Sequence, residues 1–119
     1  MDLSSVKQIA CKVRADFEAR RIDEDRLKQL YQQYNPLEDI DSFMRSAREM
    51  FPNLNCGLAT VYMRSLFPDG KIVNGKYQDN NHTFLLLQDL IVVDITSDQY
   101  GGPKVHVGPI QSPWLFDNF

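Results

Sequence analysis

Three side chains in this sequence have the types that nucleophilic catalysis needs, in the order Cys56, His82, Asp94. A thiol attacks as its thiolate, and a helix N-terminus favours that ion through its free N–H groups and partial positive charge. Cys56 is expected at such a place, because Asn53-Leu54-Asn55-Cys56-Gly57-Leu58 opens a helix-forming stretch with Asn53 or Asn55 as its cap. A histidine beside the thiolate can hold the ion pair and later protonate a leaving group. A carboxylate on the far ring nitrogen then fixes tautomer and orientation. Backbone N–H groups at the same helix end are the candidates to bind an oxyanion.

His82 opens one β-rich run, 82–87, and Asp94 falls near the end of the next, 90–95. In an antiparallel hairpin, facing residues share a side and their numbers have a constant sum. A three-residue connection, Leu87-Gln88-Asp89, sets Leu86 against Leu90, Phe84 against Val92 and His82 against Asp94. A two-residue connection, Gln88-Asp89, sets Asp94 against Thr83 and sends His82 to the other face. The odd-numbered loop is the reading adopted.

Ahead of these strands the spacing predicts helices. Val6, Ile9, Ala10, Val13 and Phe17 share one face, with Ser4 or Ser5 as cap; Leu27, Leu30, Tyr31 and Tyr34 share another from about Asp23 until Asn35-Pro36. Ile40, Phe43, Met44, Ala47 and Met50 mark a third from near Asp39 to Phe51-Pro52, and the fourth covers about 53–67 before Pro68-Asp69-Gly70. Beyond Lys71 the period turns strand-like, with Ile72-Val73, a turn signal at Asn74-Gly75, Lys76-Tyr77, and a last strand over Lys104–Val107 after Gly101-Gly102-Pro103. The expectation is a single α+β domain over residues 1–119, helical over 1–67, with an antiparallel sheet and tail over 71–119.

Asn55-Cys56-Gly57 opening a helix, followed by His82-Thr83-Phe84-Leu85 and Val93-Asp94-Ile95-Thr96 on strands, resembles the papain-like and transglutaminase-like cysteine enzymes over residues 53–108. The resemblance implies a cysteine helix packed on an antiparallel sheet that carries the histidine and the acidic residue. It implies peptidase, amidase, deamidase, transglutaminase or acyltransferase chemistry, with Cys56 as nucleophile, His82 as base and Asp94 as the orienting group. The stretch Asp94-Ile95-Thr96-Ser97-Asp98-Gln99-Tyr100 also resembles an Asp-x-Thr-x-x-Gln-aromatic segment of some bacterial members. The pattern departs from papain-type peptidases in lacking a glutamine shortly before the cysteine, whose place in the oxyanion hole falls by this resemblance to Asn53, Asn55 or a backbone N–H, with Gln99 as a further oxyanion or substrate candidate, and in having no room for long cleft loops between Cys56 and His82. Action on one defined peptide, amide or acyl substrate therefore fits better than broad proteolysis, as in a bacterial effector or toxin domain, for which an immunity protein or a target protein is the expected partner.

With 119 residues and 43% hydrophobic content, the chain can bury an ordinary core without disulfides or a structural metal. The net charge of −3 and the mixed-sign run Arg20–Arg26 argue against a nucleic-acid binder without excluding one. The longest apolar runs are too short to span a membrane. The N-terminus lacks a secretory signal pattern, so the expected location is the cytoplasm or one reached by a signal-peptide-independent route. A thioester mechanism needs no cofactor. Cys11, Cys56, His82 and His106 lack the paired spacing of a zinc site. Cys11 is expected as a buried small hydrophobe and His106 as an outward-facing strand residue; Trp114, Phe116 and Phe119 show no period that places them. The rival reading is a non-catalytic protein-interaction module on the same fold.

Overall fold

Aspartates start the first three helices. In the computed structural model, which describes residues 2–116, α1 (Leu3–Glu18) is capped by Asp2, whose side chain accepts the Ser5 N–H at 2.8 Å. Ser4 and Ser5, expected as caps, lie inside the helix because Asp2 already supplies the acceptor. Asp23 and Asp39 cap α2 (Glu24–Tyr34) and α3 (Ile40–Met50) in the same way. The fourth helix, α4 (Cys56–Leu66), has Asn55 as its N-cap residue but no side-chain cap bond, and it begins three residues later than the sequence suggests.

Five strands follow: β1 (Lys71–Tyr77), β2 (Asn80–Leu87), β3 (Ile91–Asp94), β4 (His106–Pro109) and β5 (Trp114–Leu115). They form one sheet in the order β4-β3-β2-β1-β5, and every neighbouring pair is antiparallel. The architecture is thus α+β, four helices followed by a small antiparallel sheet. Among the described residues no helix is long and apolar enough to cross a membrane.

Strand alternation divides the sheet between two cores. Leu85, Val93 and Val107 face the helices and pack with Val6, Ala10, Val13 and Phe17 of α1, Leu27 and Tyr31 of α2, Ala47 of α3, and Leu58 and Val61 of α4. The opposite face carries Phe84, Leu86 and Val92, covered by Tyr77 and Trp114. Ile110, Trp114 and Phe116 of the tail therefore cover the second face. Cys11 lies on the exposed side of α1, not in the core as expected, because the buried stripe runs through 6, 10, 13, 14 and 17 and passes it by.

The Asn74-Gly75 turn signal is not used, and β1 runs straight through it with Gly75 paired to His82. The glycine serves a close approach instead, since a Cβ there would lie 2.3 Å from the Leu115 carbonyl oxygen of β5. That contact is with backbone, so nothing can swing aside. Gly75→Ala should push β5 off β1, lowering stability by roughly 2 kcal/mol and shifting Trp114 emission to the red as the sole tryptophan loses its cover. Thermal melting followed by fluorescence checks this, and an unchanged melt with unshifted emission would contradict it.

Candidate active site

Cys56 is the first residue of α4, half-buried, with its thiol beside the Thr83 N–H and the His82 ring. The helix starts here because Asn55 turns its side chain backwards: Nδ2 donates to the carbonyls of Ala47 and Asn53, both at 2.8 Å. That bond ties α4 to α3 and leaves the first-turn N–H groups of α4 without a side-chain cap. Asn55 is therefore a strut and not the oxyanion donor proposed from the sequence. Asn53 is exposed on the preceding loop, so of the candidate donors the backbone N–H groups at Cys56 and Gly57 are the ones beside the thiol. Gly57 keeps this end of α4 tight against α2, where a Cβ would meet the Tyr31 ring at 3.2 Å.

His82 Nε2 and Asp94 Oδ2 are 2.6 Å apart, and both side chains are buried to 1% exposure or less. The partnership was predicted, but through a different register. The loop has three residues, Gln88-Asp89-Leu90, so Leu87 faces Ile91 and Leu85 faces Val93. The connection is shifted by one residue from the expected Leu87-Gln88-Asp89, because Asp89 and Leu90 adopt left-handed backbone angles (φ 64° and 59°) that turn the chain after Leu87. Parity survives the shift. His82 and Asp94 remain on one face as diagonal neighbours, a separation that an imidazole and a carboxylate together can span.

Asp94 is saturated with donors. Oδ1 accepts the Thr96 N–H at 2.9 Å in a local turn, and Oδ2 accepts Trp114 Nε1–H at 2.8 Å in addition to His82. Gln99 lies just outside, its Nε2 donating to the Thr96 carbonyl at 3.1 Å, which closes the turn rather than facing an open site. Tyr100 sets its ring edge-to-face on His82, with centroids 5.4 Å apart, and donates its hydroxyl to the Asn81 carbonyl at 3.0 Å. Of this segment, Asp94 and Tyr100 touch the histidine, and Thr96 acts on it through Asp94.

The ionisation pattern follows from these contacts. Burial pulls the His82 imidazole down, but its bonds to Asp94 and to the Cys56 thiol outweigh that and push it up to about 9. Burial pushes the Cys56 thiol up, and His82 with the Thr83 N–H reverses the effect, leaving it below the ordinary thiol range. His82 Nδ1 is buried with no hydrogen-bond partner among the described residues, and with Nε2 held by Asp94 it is the ring nitrogen left to serve the neighbouring thiol. The arrangement shifts the pair toward thiolate and imidazolium relative to the free side chains.

Two contributors were missed. Trp114 carries no periodic signal, and only its status as the lone tryptophan sets it apart. Arg14 is buried on α1, donates to the Ile95 carbonyl at 2.8 Å and grips both Asp98 oxygens at 2.7 and 2.8 Å, which anchors the turn beneath Asp94 to the helices. Its signal was present in the sequence, as a cation within the apolar stripe of Ala10, Val13 and Phe17. His106, expected to face outward, is half-buried and stacked on Trp114 at 3.9 Å, because β4 pairs it with Asp94 and so turns it to the tail-covered face. Phe119 lies outside the described residues. Among the described residues no group of three or more His, Cys, Asp or Glu side chains could hold a metal ion.

Fold and site together describe an α+β protein with a half-buried Cys-His-Asp constellation. No family model, no curated protein and no solved structure matches the chain.

Asp94→Asn removes the anion that outweighs the burial of His82. The His82 pKa should then fall from about 9 to near or below its ordinary 6.5, read from an NMR titration of the ring protons. A value that stays near 9 would show that Asp94 does not control the histidine.

Proposed function

We propose that this protein is a cysteine-dependent hydrolase or acyl-transfer enzyme of the papain-like and transglutaminase-like type, working through a thioester on Cys56. The observation that carries the reading is the buried line from Trp114 and Thr96 through Asp94 to His82 and on to the Cys56 thiol at the start of α4. A buried charged histidine costs stability unless it is paired, and perturbed, paired ionisable groups of this kind cluster at functional sites. Here it has both a partner and a nucleophile to serve.

In the first half-reaction the Cys56 thiolate attacks the carbonyl carbon of an amide or ester, and the new C–S bond pushes charge onto the oxygen. The uncapped N–H groups at the start of α4 are the donors placed to receive that charge. When the tetrahedral intermediate collapses, the bond from carbon to the leaving amine or alcohol breaks, and His82 donates its Nδ1 proton to the departing group. In the second half, water or an acceptor amine attacks the thioester while His82 takes up its proton, and the Cys56 thiolate is released. Hydrolysis, deamidation and transfer differ only in the leaving group and the acceptor. Asp94 holds His82 through Nε2, so the working nitrogen stays aimed at sulfur.

The stretch from Cys56 to His82 holds only α4 and the β1–β2 hairpin, with no long cleft loop, and with a half-buried cysteine this suits one defined peptide, amide or acyl substrate. This favours the effector or toxin reading over general proteolysis.

The test compares two thiols in one molecule. Cys56 labelling by iodoacetamide should be fast at pH 7, at least tenfold faster than at exposed Cys11, which has no histidine partner to stabilise its thiolate. The acyl-transfer rate should rise with pH as Cys56 ionises, then fall through about 9 as His82 loses the proton it must donate. Cys56→Ala should abolish turnover. Equal, slow labelling of both cysteines would count for the non-catalytic interaction module instead.

A further inference from the structure

The Asp94 carboxylate orients His82 only while it is itself held, and one of its holders stands on the least supported element of the sheet. Trp114 belongs to β5, a two-residue strand paired with β1 alone. Its indole N–H nevertheless reaches Asp94 across the face of the sheet. Two rings fix the indole. Tyr77 meets it edge-on at 5.1 Å and 83°, and His106 lies flat on it at 3.9 Å and 22°.

The His106 contact joins the two ends of the sheet. β4 and β5 are opposite edge strands in the order β4-β3-β2-β1-β5, so a side chain of one edge stacks on a side chain of the other. The sheet is thereby closed over Asp94, which pairs with His106 on the adjacent strand. The histidine contributes its flat face and not a hydrogen bond: its Nε2 is buried with no hydrogen-bond partner among the described residues. Burial also pulls its pKa down; of the charged groups around it, Asp94 acts upward and Lys7 of α1 downward. At neutral pH the ring is an uncharged plate.

We propose that His106 is a positioning residue for this site: by stacking on Trp114 it keeps the indole N–H on Asp94, and so keeps the carboxylate aligned with His82. The catalytic meaning of that alignment rests on the Cys56 reading above, but the alignment itself does not. Removing the plate frees the indole, lets the Oδ2 bond open and admits water beside the His82–Asp94 pair, which weakens the pull on the His82 proton.

The experiment is an NMR pH titration of His82 in the intact chain and in His106→Ala, His106→Leu and His106→Phe, each repeated in a Trp114→Phe background. The ring proton reports His82 without substrate, and Cys56 is the same in every chain compared, so the differences do not depend on whether Cys56 proves to be a nucleophile. The His106→Ala and His106→Leu chains should lower the His82 pKa by about half a unit or more, while His106→Phe, which restores a flat ring, should keep the parent value. In the Trp114→Phe background, where the N–H is already gone, replacing His106 should add no further shift. Leu fills the space of the ring, so it reads the effect if the Ala chain does not fold. An unchanged His82 in the Leu chain, a Phe chain that behaves like Ala, or an equal shift without the indole would each overturn the proposal.

Discussion

The hydrogen bond between His82 and Asp94 sets the terms for the rest of the molecule. Two ionisable side chains at 0% and 1% exposure have left water almost completely. Each buried ion costs several kcal/mol, and mutual attraction compensates only when the remaining valences are also satisfied. The surroundings do that for Asp94 with a Thr96 backbone N–H on one oxygen and an indole N–H on the other. They leave one valence open, Nδ1 of His82, and that is the side on which Cys56 sits. A structure that neutralised every group would be more stable and chemically inert.

This constraint explains why the two halves of the chain need one another. The helices supply Cys56 at the start of α4, while the sheet supplies the histidine and the carboxylate, so the layers must keep fixed relative positions. Asn55 fastens α4 to α3, and Thr60 donates to the Thr83 carbonyl at 3.2 Å, linking α4 to the strand that bears His82. Arg14 joins α1 to the turn beyond Asp94 and lies 4.7 Å from the Phe51 ring on the loop that leads to Cys56. A bidentate guanidinium fixes direction as well as distance, which a lysine there could not do. The tail completes the enclosure from the opposite face.

What the sequence disclosed and what it hid divide along physical lines. Helical periodicity is a local property, and three apolar stripes, with the cap and stop signals around 53–67, placed the four helices to within a few residues. The residues of the site were legible because cysteine, histidine and aspartate carry their chemistry in their identity, and parity alone put His82 and Asp94 on one face. Register was not legible. It depends on which residues accept left-handed angles, and Asp89 and Leu90 take them without any glycine to announce it. Gly75 misled for the complementary reason: glycine marks a turn and a close backbone approach with the same letter, and only the position of Leu115 decides which. Trp114 and His106 were unreadable because their partners lie on the opposite edge of the sheet, a relation that no local pattern encodes.

The most direct test of the central claim is acylation by a neutral activated ester at pH 7, with the adduct mapped by peptide mass spectrometry in the parent chain and in His82→Ala. The predicted result is one acyl group on Cys56, formed in a burst and then released, with neither burst nor release in the variant. Acylation of Cys11 and Cys56 at equal slow rates, unchanged by loss of His82, would contradict the claim that the buried pair serves a nucleophile.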